Sequence, residues 1–197
     1  DMGGTSCDIC LISNGEAQVL EQPSSHERYP IKVPKFDINT IGAGGGSIAF
    51  VDEAGGLHVG PESAGALPGP ACYGKGGDQP TVTDAQVVLG KIPPDYFLGG
   101  QMLINKELAE DALVTKIGTQ LGKTSLQCAQ AITDISEAIM ARSIRSVTTK
   151  KGFDPRDFSL TAFGGAGPLH ACSVANLLGM IRVIIPVGPG AFSAYGL

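Results

Sequence analysis

Asp1-Met2-Gly3-Gly4-Thr5-Ser6-Cys7-Asp8 opens the chain, and these eight residues decide how the rest is read. An acidic residue, two glycines and two hydroxyls run straight into Ile9, Leu11 and Ile12. That pattern predicts the end of one strand, a tight turn and the start of the next. Paired glycines allow the turn positive φ and let its amides approach a bulky anion, because no Cβ intervenes. Successive inward-pointing amides make an anion-binding concavity, with the Thr5 and Ser6 hydroxyls as further donors. A carboxylate at Asp1 does not suit phosphate; it suits a hydrated Mg²⁺ that bridges phosphate oxygens. An ordinary glycine hairpin fits the same residues. A second glycine cluster far downstream, at 164–167, favours the phosphate-gripping reading.

With 197 residues the chain can build one substantial domain, or one domain and an appendage. Hydrophobic residues make up 43% and mean hydropathy is +0.14, which is globular. Net charge is −5 and no basic run occurs, so nucleic acid and anionic membrane surfaces are poor partners. The longest apolar stretches, such as 181–187, are strand-sized and interrupted by Arg182 and Pro186, so no membrane span is expected. The chain opens inside a motif and without an initiator Met, which leads us to expect a piece of a longer protein. Five cysteines, at 7, 10, 72, 128 and 172, form no disulfide framework and point to a reducing, cytoplasmic setting. Cys7 and Cys10 make a C-x-x-C, but in a strand residues three apart face opposite ways. No second pair completes a zinc site, and small buried side chains are the expectation.

Taken in order, residues 8–13 and 17–21 read as a hairpin closed at Asn14-Gly15. Pro23, Pro30 and Pro34 around Tyr29-Pro30-Ile31-Lys32-Val33 forbid a central strand, so 22–39 is an edge or a loop. In Ile41-Gly42-Ala43-Gly44-Gly45-Gly46-Ser47 a strand follows the glycines at once, which argues against a linker. Gly44, Gly45 and Gly46 therefore read as a loop pressed against a ligand or another subunit, leading into strands 48–51 and 57–59. Residues 60–77 hold nine more glycines and prolines, a loop longer than connections usually run and hence a functional candidate. Cys72 within it has no adjacent base to activate it as a nucleophile. Thr81 or Thr83 caps a helix carrying Ala85, Val88 and Leu89, with Asp84 as a first-turn carboxylate that suits the helix dipole.

The second half is predominantly helical. Asn105 caps a helix with Leu108, Ala112, Leu113, Ile117 and Leu121 at helical spacing, ending at Gly122. Ser125 opens a longer one, carrying Cys128, Ala131, Ile132, Ile135, Ala138, Ile139, Ile144 and Val147 and stopping near Gly152 and Pro155. A strand at 159–163, a helix at 168–178 and a strand at 181–185 then predict a parallel, right-handed unit. Its turn, Gly164-Gly165-Ala166-Gly167-Pro168, lies between a strand's carboxyl end and a helix's amino end, where open α/β sheets bind ligands. The spacing is not the G-x-G-x-x-G of a dinucleotide fold. Pro168 suits the first helical position, and His170 reads as a packed side chain more readily than as a base.

At this point the chain resembles a family. Asp1-Met2-Gly3-Gly4-Thr5-Ser6, residues 40–47, Val59-Gly60-Pro61-Glu62-Ser63-Ala64-Gly65, Pro68-Gly69-Pro70-Ala71-Cys72-Tyr73-Gly74, Pro80-Thr81-Val82-Thr83-Asp84-Ala85 and Ala162-Phe163-Gly164-Gly165-Ala166-Gly167-Pro168-Leu169-His170-Ala171 together look like the hydantoinase A family. Its relatives include 5-oxoprolinase and the acetone carboxylase subunits. The six motifs, in order, span nearly the whole chain. The resemblance implies an α/β, ribonuclease H-like lobe of the actin, sugar kinase and heat-shock chaperone ATPase superfamily, a mixed sheet with helices in which two lobes close over ATP and Mg²⁺. Residues 1–197 would form a single lobe, the second of the pair, with the long Gly/Pro-rich loop at 60–80. Carried onto this chain, Asp1 is the catalytic, metal-orienting carboxylate, and Gly3, Gly4, Thr5 and Ser6 hold phosphate. Gly44, Gly45 and Gly46 join the nucleotide site, and Gly164, Gly165, Ala166 and Gly167 hold adenosine.

The implied activity is ATP-dependent hydrolytic opening of a cyclic amide of the hydantoin or 5-oxoproline type. The implied partners are that small-molecule substrate, an N-terminal lobe absent here and a hydantoinase B-type subunit. The runner-up readings are an ATP-dependent carboxylase subunit of the acetone carboxylase type and a non-catalytic ATP-driven clamp. Two departures matter: Cys7 stands where the family pattern leads us to expect Thr, and the other phosphate hairpin belongs to the absent lobe. The chain by itself is therefore expected to be half a site and inactive.

Overall fold

The computed structural model describes residues 1–20 and 34–196. The expected extended segment 29–33, with Pro23 and Pro30, lies outside the described residues.

The chain begins as a hairpin. Met2 bridges Cys7, the Asp8 amide donates to the Asp1 carbonyl (2.7 Å), and the Gly3 amide donates to the Ser6 carbonyl (3.1 Å) across the turn. In β1 (Cys7–Cys10) the side chains alternate, so Cys7 and Ile9 are buried and Cys10 faces out. The C-x-x-C therefore cannot close on a common ligand. β2 (Ile12–Ser13) turns at Asn14 and Gly15, φ 54° and 83°, into β3 (Glu16–Ala17), as that dipeptide requires. β4 (Val19–Leu20) pairs with β5 (Lys35–Phe36), and β6 (Ile38–Ile41) runs antiparallel to β1 from Cys7↔Ile41 to Cys10↔Ile38. Residues 35–39 are thus ladder rather than loop. None of them is proline, so each amide is free to pair.

β7 (Ser47–Val51) and β8 (Leu57–Ser63) form the expected second hairpin, with a register slip between Ser47 and Ala49. α1 (Val82–Val88) follows the long loop, capped by Thr81. α2 (Lys106–Leu113) begins as predicted, with Asn105 Oδ1 accepting the Leu108 amide at 3.0 Å. The expected single helix is interrupted, however, by a wide π-turn at Val114–Gly118 before α3 (Thr119–Leu121) and the left-handed Gly122. A Cβ on Gly118 would sit 2.6 Å from the Lys123 carbonyl, so the glycine lets the chain fold back there. One extra residue in one turn leaves the apolar period nearly intact, which is why the pattern does not reveal it.

α4 (Ser125–Thr149) is the spine. Its 25 residues span about 37 Å at 1.5 Å each, and Thr124 with Gln127 forms a capping box at its start. Cys128, Ala129 and Ile132 pack with Val82, Ala85, Leu113 and Ile117, whereas Met140 and Ala141 pack with Met2, Ile9, Val174 and Leu178. One helix thereby joins two apolar clusters. Its buried face is not the purely apolar one that was expected: Ala138 is exposed, and Thr133, Ser136 and Glu137 are buried.

β9 (Leu160–Thr161), α5 (Gly167–Leu178) and β10 (Val183–Ile184) form the parallel unit, with Val183↔Leu160 in register. Both strands are shorter than expected. The helix starts one residue early, so Pro168 takes its second position. α6 (Phe192–Tyr195) ends the described chain. Among the described residues the strands pair two by two, four antiparallel couples and one parallel, rather than forming one continuous mixed sheet. Turns and the register slip cut each ladder short, yet backbone bonds at Met2, from its amide to the Phe163 carbonyl (3.0 Å) and from the Ala166 amide to its carbonyl (2.9 Å), link the antiparallel and parallel parts. The result is a mixed α/β fold.

Candidate functional site

Met2 is the joint of the site. Its amide donates to the Phe163 carbonyl (3.0 Å) and its carbonyl accepts the Ala166 amide (2.9 Å), so the first hairpin is stitched to the turn at 164–167 from both sides. The Met2 side chain is fully buried in the cluster beneath. Burying this unbranched side chain anchors the strand end, and the polar residues on either side of it are left at the rim.

The hairpin's glycines behave differently from expectation. Neither Gly3 nor Gly4 has positive φ, so the turn does not demand them for backbone conformation. A Cβ on either would meet nothing within 4 Å. Gly4 and Thr5 are exposed, while Asp1, Gly3 and Ser6 are half-buried.

Gly44, Gly45 and Gly46, expected as nucleotide contacts, pack beneath the hairpin. All three are buried, and their amides are engaged: Gly44 to Ser47 Oγ (2.8 Å), Gly45 to the Gly3 carbonyl (3.0 Å) and Gly46 to the Gly4 carbonyl (2.6 Å). A Cβ on Gly44 would fall 2.6 Å from the Gly4 carbonyl. The triple glycine is a bed pressed backbone to backbone under the hairpin. It holds the turn by the Gly3 and Gly4 carbonyls, while the Gly3 amide closes the turn on the Ser6 carbonyl. α1 locks the bed in turn, through the Thr83 amide (2.7 Å) and hydroxyl (2.8 Å) on the Gly45 carbonyl.

Within 164–167 the structure separates two roles. Gly164 (φ 82°) and Gly167 are buried against the hairpin, and a Cβ on Gly164 would overlap Asp1 Oδ1 and the Met2 carbonyl. The Gly164 amide donates to the Pro189 carbonyl (2.8 Å), and the Ala166 amide is taken by Met2. Gly165 alone is exposed with open space where its Cβ would be. Gly164, Ala166 and Gly167 therefore build the turn, and Gly165 presents it.

Asp84 has a larger role than a dipole partner. Fully buried, it accepts the Ala71 amide (3.2 Å), the Cys72 amide (2.7 Å), the Thr81 amide (2.9 Å) and the Thr81 hydroxyl (2.8 Å). It thus closes the capping box of α1 and ties the far end of the long loop to it. The Thr81-x-x-Asp84 spacing is the signal that marks it in sequence. Burial, and then the Asp84 carboxylate, push the Cys72 thiol well above its ordinary value, so it stays protonated and is no nucleophile. His170 is buried in α5, with Nδ1 3.2 Å from Glu137 Oε1 on α4. Gln86 donates to Thr133 beside them at 3.3 Å, so α1, α4 and α5 meet in a polar layer behind the turns.

The residues present fit Mg²⁺ and a nucleotide. Among the described residues no three His, Cys, Asp or Glu cluster as a metal cage. Mg²⁺ needs no such cage, because one carboxylate, retained water and phosphate oxygens complete its shell. Asp1, half-buried at the rim beside the hairpin, offers that carboxylate. The open ground over Gly3, Gly4 and Gly165 is what a phosphate and an adenosine face require of a backbone.

These features define a mixed α/β protein in which two glycine turns meet at one rim. The chain belongs to the hydantoinase/oxoprolinase family, whose model matches residues 1–197. It is 44% identical to the caprolactamase alpha subunit of Pseudomonas jessenii over 196 residues, covering 100% of this chain and 28% of that protein. The crystal structure of the ATP-dependent caprolactamase from that organism superposes with a TM-score of 0.89 over 99% of this chain and 28% of the other. A nucleotide-free acetone carboxylase, 32% identical, gives 0.91 over 100% of this chain and 28% of its own. The acetophenone carboxylase gamma subunit of Aromatoleum aromaticum is 43% identical over 199 residues, 100% of this chain and 27% of that protein. The chain therefore spans less than a third of the length of these relatives. No helix among the described residues is long and apolar enough to cross a membrane.

Proposed function

We propose that this chain supplies one side of the nucleotide site in an enzyme that opens a cyclic amide at the expense of ATP. The observation that carries the reading is the double hydrogen bond of Met2 to Phe163 and Ala166, which places the phosphate-type hairpin and the adenosine-type turn edge to edge. One nucleotide reaches both. In this reading residues 1–197 form a single ribonuclease H-like lobe of the actin, sugar kinase and heat-shock chaperone ATPase superfamily. The opposing lobe and a hydantoinase B-type subunit complete the site.

In this reading the turns divide the labour. The Gly4 amide, with the Thr5 and Ser6 hydroxyls, holds phosphate over the open ground at Gly3, whose own amide closes the turn on the Ser6 carbonyl, and the Gly44-Gly45-Gly46 bed supports the turn from below. Gly165 lies against adenosine, with Gly164, Ala166 and Gly167 shaping its turn. Asp1 would hold a hydrated Mg²⁺, which would supply the positive charge that offsets the phosphates. Phosphoryl transfer from ATP to the amide oxygen turns a poor electrophile into one that water attacks. A hydantoin, 5-oxoproline or a lactam fits that chemistry.

A second reading has support of its own, since two of the relatives above are carboxylases. The same phosphoryl transfer directed at a ketone enolate or bicarbonate would serve them. ATP hydrolysis by the full-length protein with its partner subunit, assayed with hydantoins, 5-oxoproline, caprolactam, and acetone with bicarbonate, separates the two. Stimulation by a ring amide without bicarbonate is expected. Stimulation only by ketone with bicarbonate moves the protein to the carboxylase branch, and no stimulation by any of them removes both readings.

A further inference from the structure

Residues 188–196 fold back across the rim of the site. The Pro189 carbonyl accepts the Gly164 amide (2.8 Å), and the Phe192 ring meets Phe163 edge-on, centroids 5.1 Å apart at 67°. Between these anchors the Ser193 hydroxyl donates to Asp1 Oδ2 at 2.6 Å. The other oxygen, Asp1 Oδ1, occupies the space that a Cβ on Gly164 would need. The carboxylate is thus gripped on one oxygen by a hydroxyl and seated by the other on a glycine. A carboxylate offers about four lone-pair sites, so a grip on one leaves the others available.

A half-buried aspartate at a strand end has two soft torsions, and a metal-orienting group works only if it is held in one of their wells. We propose that Ser193 is the positioning residue for Asp1, fixing the carboxylate plane so that its free lone pairs meet the water shell of a divalent cation. The inference rests on the reading of Asp1 as the metal-orienting group. Ser193 is exposed, so its hydroxyl adds nothing to a core. The ring of Phe192 and the carbonyl of Pro189 hold the segment in place without it. Removal of the hydroxyl therefore frees Asp1 and leaves the segment seated.

The test uses the full-length protein with its partner subunit, Mn²⁺ as the probe, and a non-hydrolysable ATP analogue. Mn²⁺ affinity in the presence of the analogue is read by paramagnetic resonance, and analogue affinity in EDTA by calorimetry. Ser193→Ala is expected to weaken Mn²⁺ about fivefold, the scale of one ordinary hydrogen bond, with analogue affinity in EDTA unchanged. Ser193→Thr, which keeps the hydroxyl, restores Mn²⁺ affinity. Asp1→Asn should weaken Mn²⁺ more than Ser193→Ala does. If Asp1→Asn loses Mn²⁺ while Ser193→Ala binds it normally, the positioning role is wrong and the reading of Asp1 stands. The role also fails if Ser193→Ala weakens the analogue equally with and without Mn²⁺, since Ser193 would then only secure the fold. Normal Mn²⁺ binding by Asp1→Asn overturns the metal reading of Asp1, and the inference with it.

Discussion

Gly164 and Gly165 are neighbours with the same side chain and opposite reasons for it. At Gly164 the backbone is left-handed (φ 82°) and a Cβ would overlap Asp1 and Met2. At Gly165 φ lies outside that region and the Cβ direction is empty. Gly164→Ala should therefore destabilise the fold by about 2–4 kcal/mol, combining strain at positive φ with overpacking. Gly165→Val should leave the urea midpoint within error and still weaken ATP-analogue binding in the full-length protein, because its methyls enter the ligand's space. Equal loss of stability in both variants, measured by urea unfolding, would show that the turn is structural throughout.

Among the elements, the long loop is held at its far end by one buried carboxylate. Three amides and a hydroxyl converge on Asp84. Asp84→Ala orphans all four donors in a site without solvent, where each unsatisfied group costs about 1–3 kcal/mol before relaxation. We expect a net loss of about 3–5 kcal/mol and new protease cuts between residues 60 and 80. Asp84→Asn, which keeps one acceptor oxygen, should lose less. Limited proteolysis that leaves 60–80 intact in Asp84→Ala would show that the loop has other anchors sufficient to hold it.

Across the whole molecule, burial sorts the cysteines. Cys10 and Cys172 are exposed, whereas Cys7, Cys72 and Cys128 are buried, and burial raises the pKa of all three. A thiol reagent at neutral pH should titrate two groups quickly and the other three only on unfolding. The same shifts set an alkaline limit. Groups whose folded pKa is raised contribute stability that is fully present below their unfolded value of about 8.5, and lose it as pH climbs above that value. The thermal midpoint should therefore fall above about pH 9, and Cys72→Ser should flatten that fall even though it lowers the midpoint at pH 7. Nucleotide affinity also belongs to this scale. With one hairpin and one turn available, the chain alone should bind Mg-ATP well above about 1 μM, where two-lobed sites reach that range or better. Tight binding by calorimetry would contradict the half-site reading.

What the sequence determined by itself was local or periodic. The Asn14-Gly15 turn, the Asn105 cap, the long helix from Ser125 and the strand–glycine–helix order at 159–178 each depend on backbone preferences or spacings confined to a few residues, and all are present. The order of the glycine motifs was enough to place the chain in its family. Tertiary structure alone decided which glycines face outward. Nothing in Gly44-Gly45-Gly46 tells a ligand cradle from a bed for another turn, because that difference lies in the carbonyls of Gly3 and Gly4, some forty residues away. The burial of Thr133 and Glu137 on α4 was hidden for the same reason, since their partners Gln86 and His170 come from other helices. The grip of Ser193 on Asp1 joins residues 192 positions apart. A polar residue's role depends on its partner, and when that partner is distant in the chain only the folded backbone brings the two together.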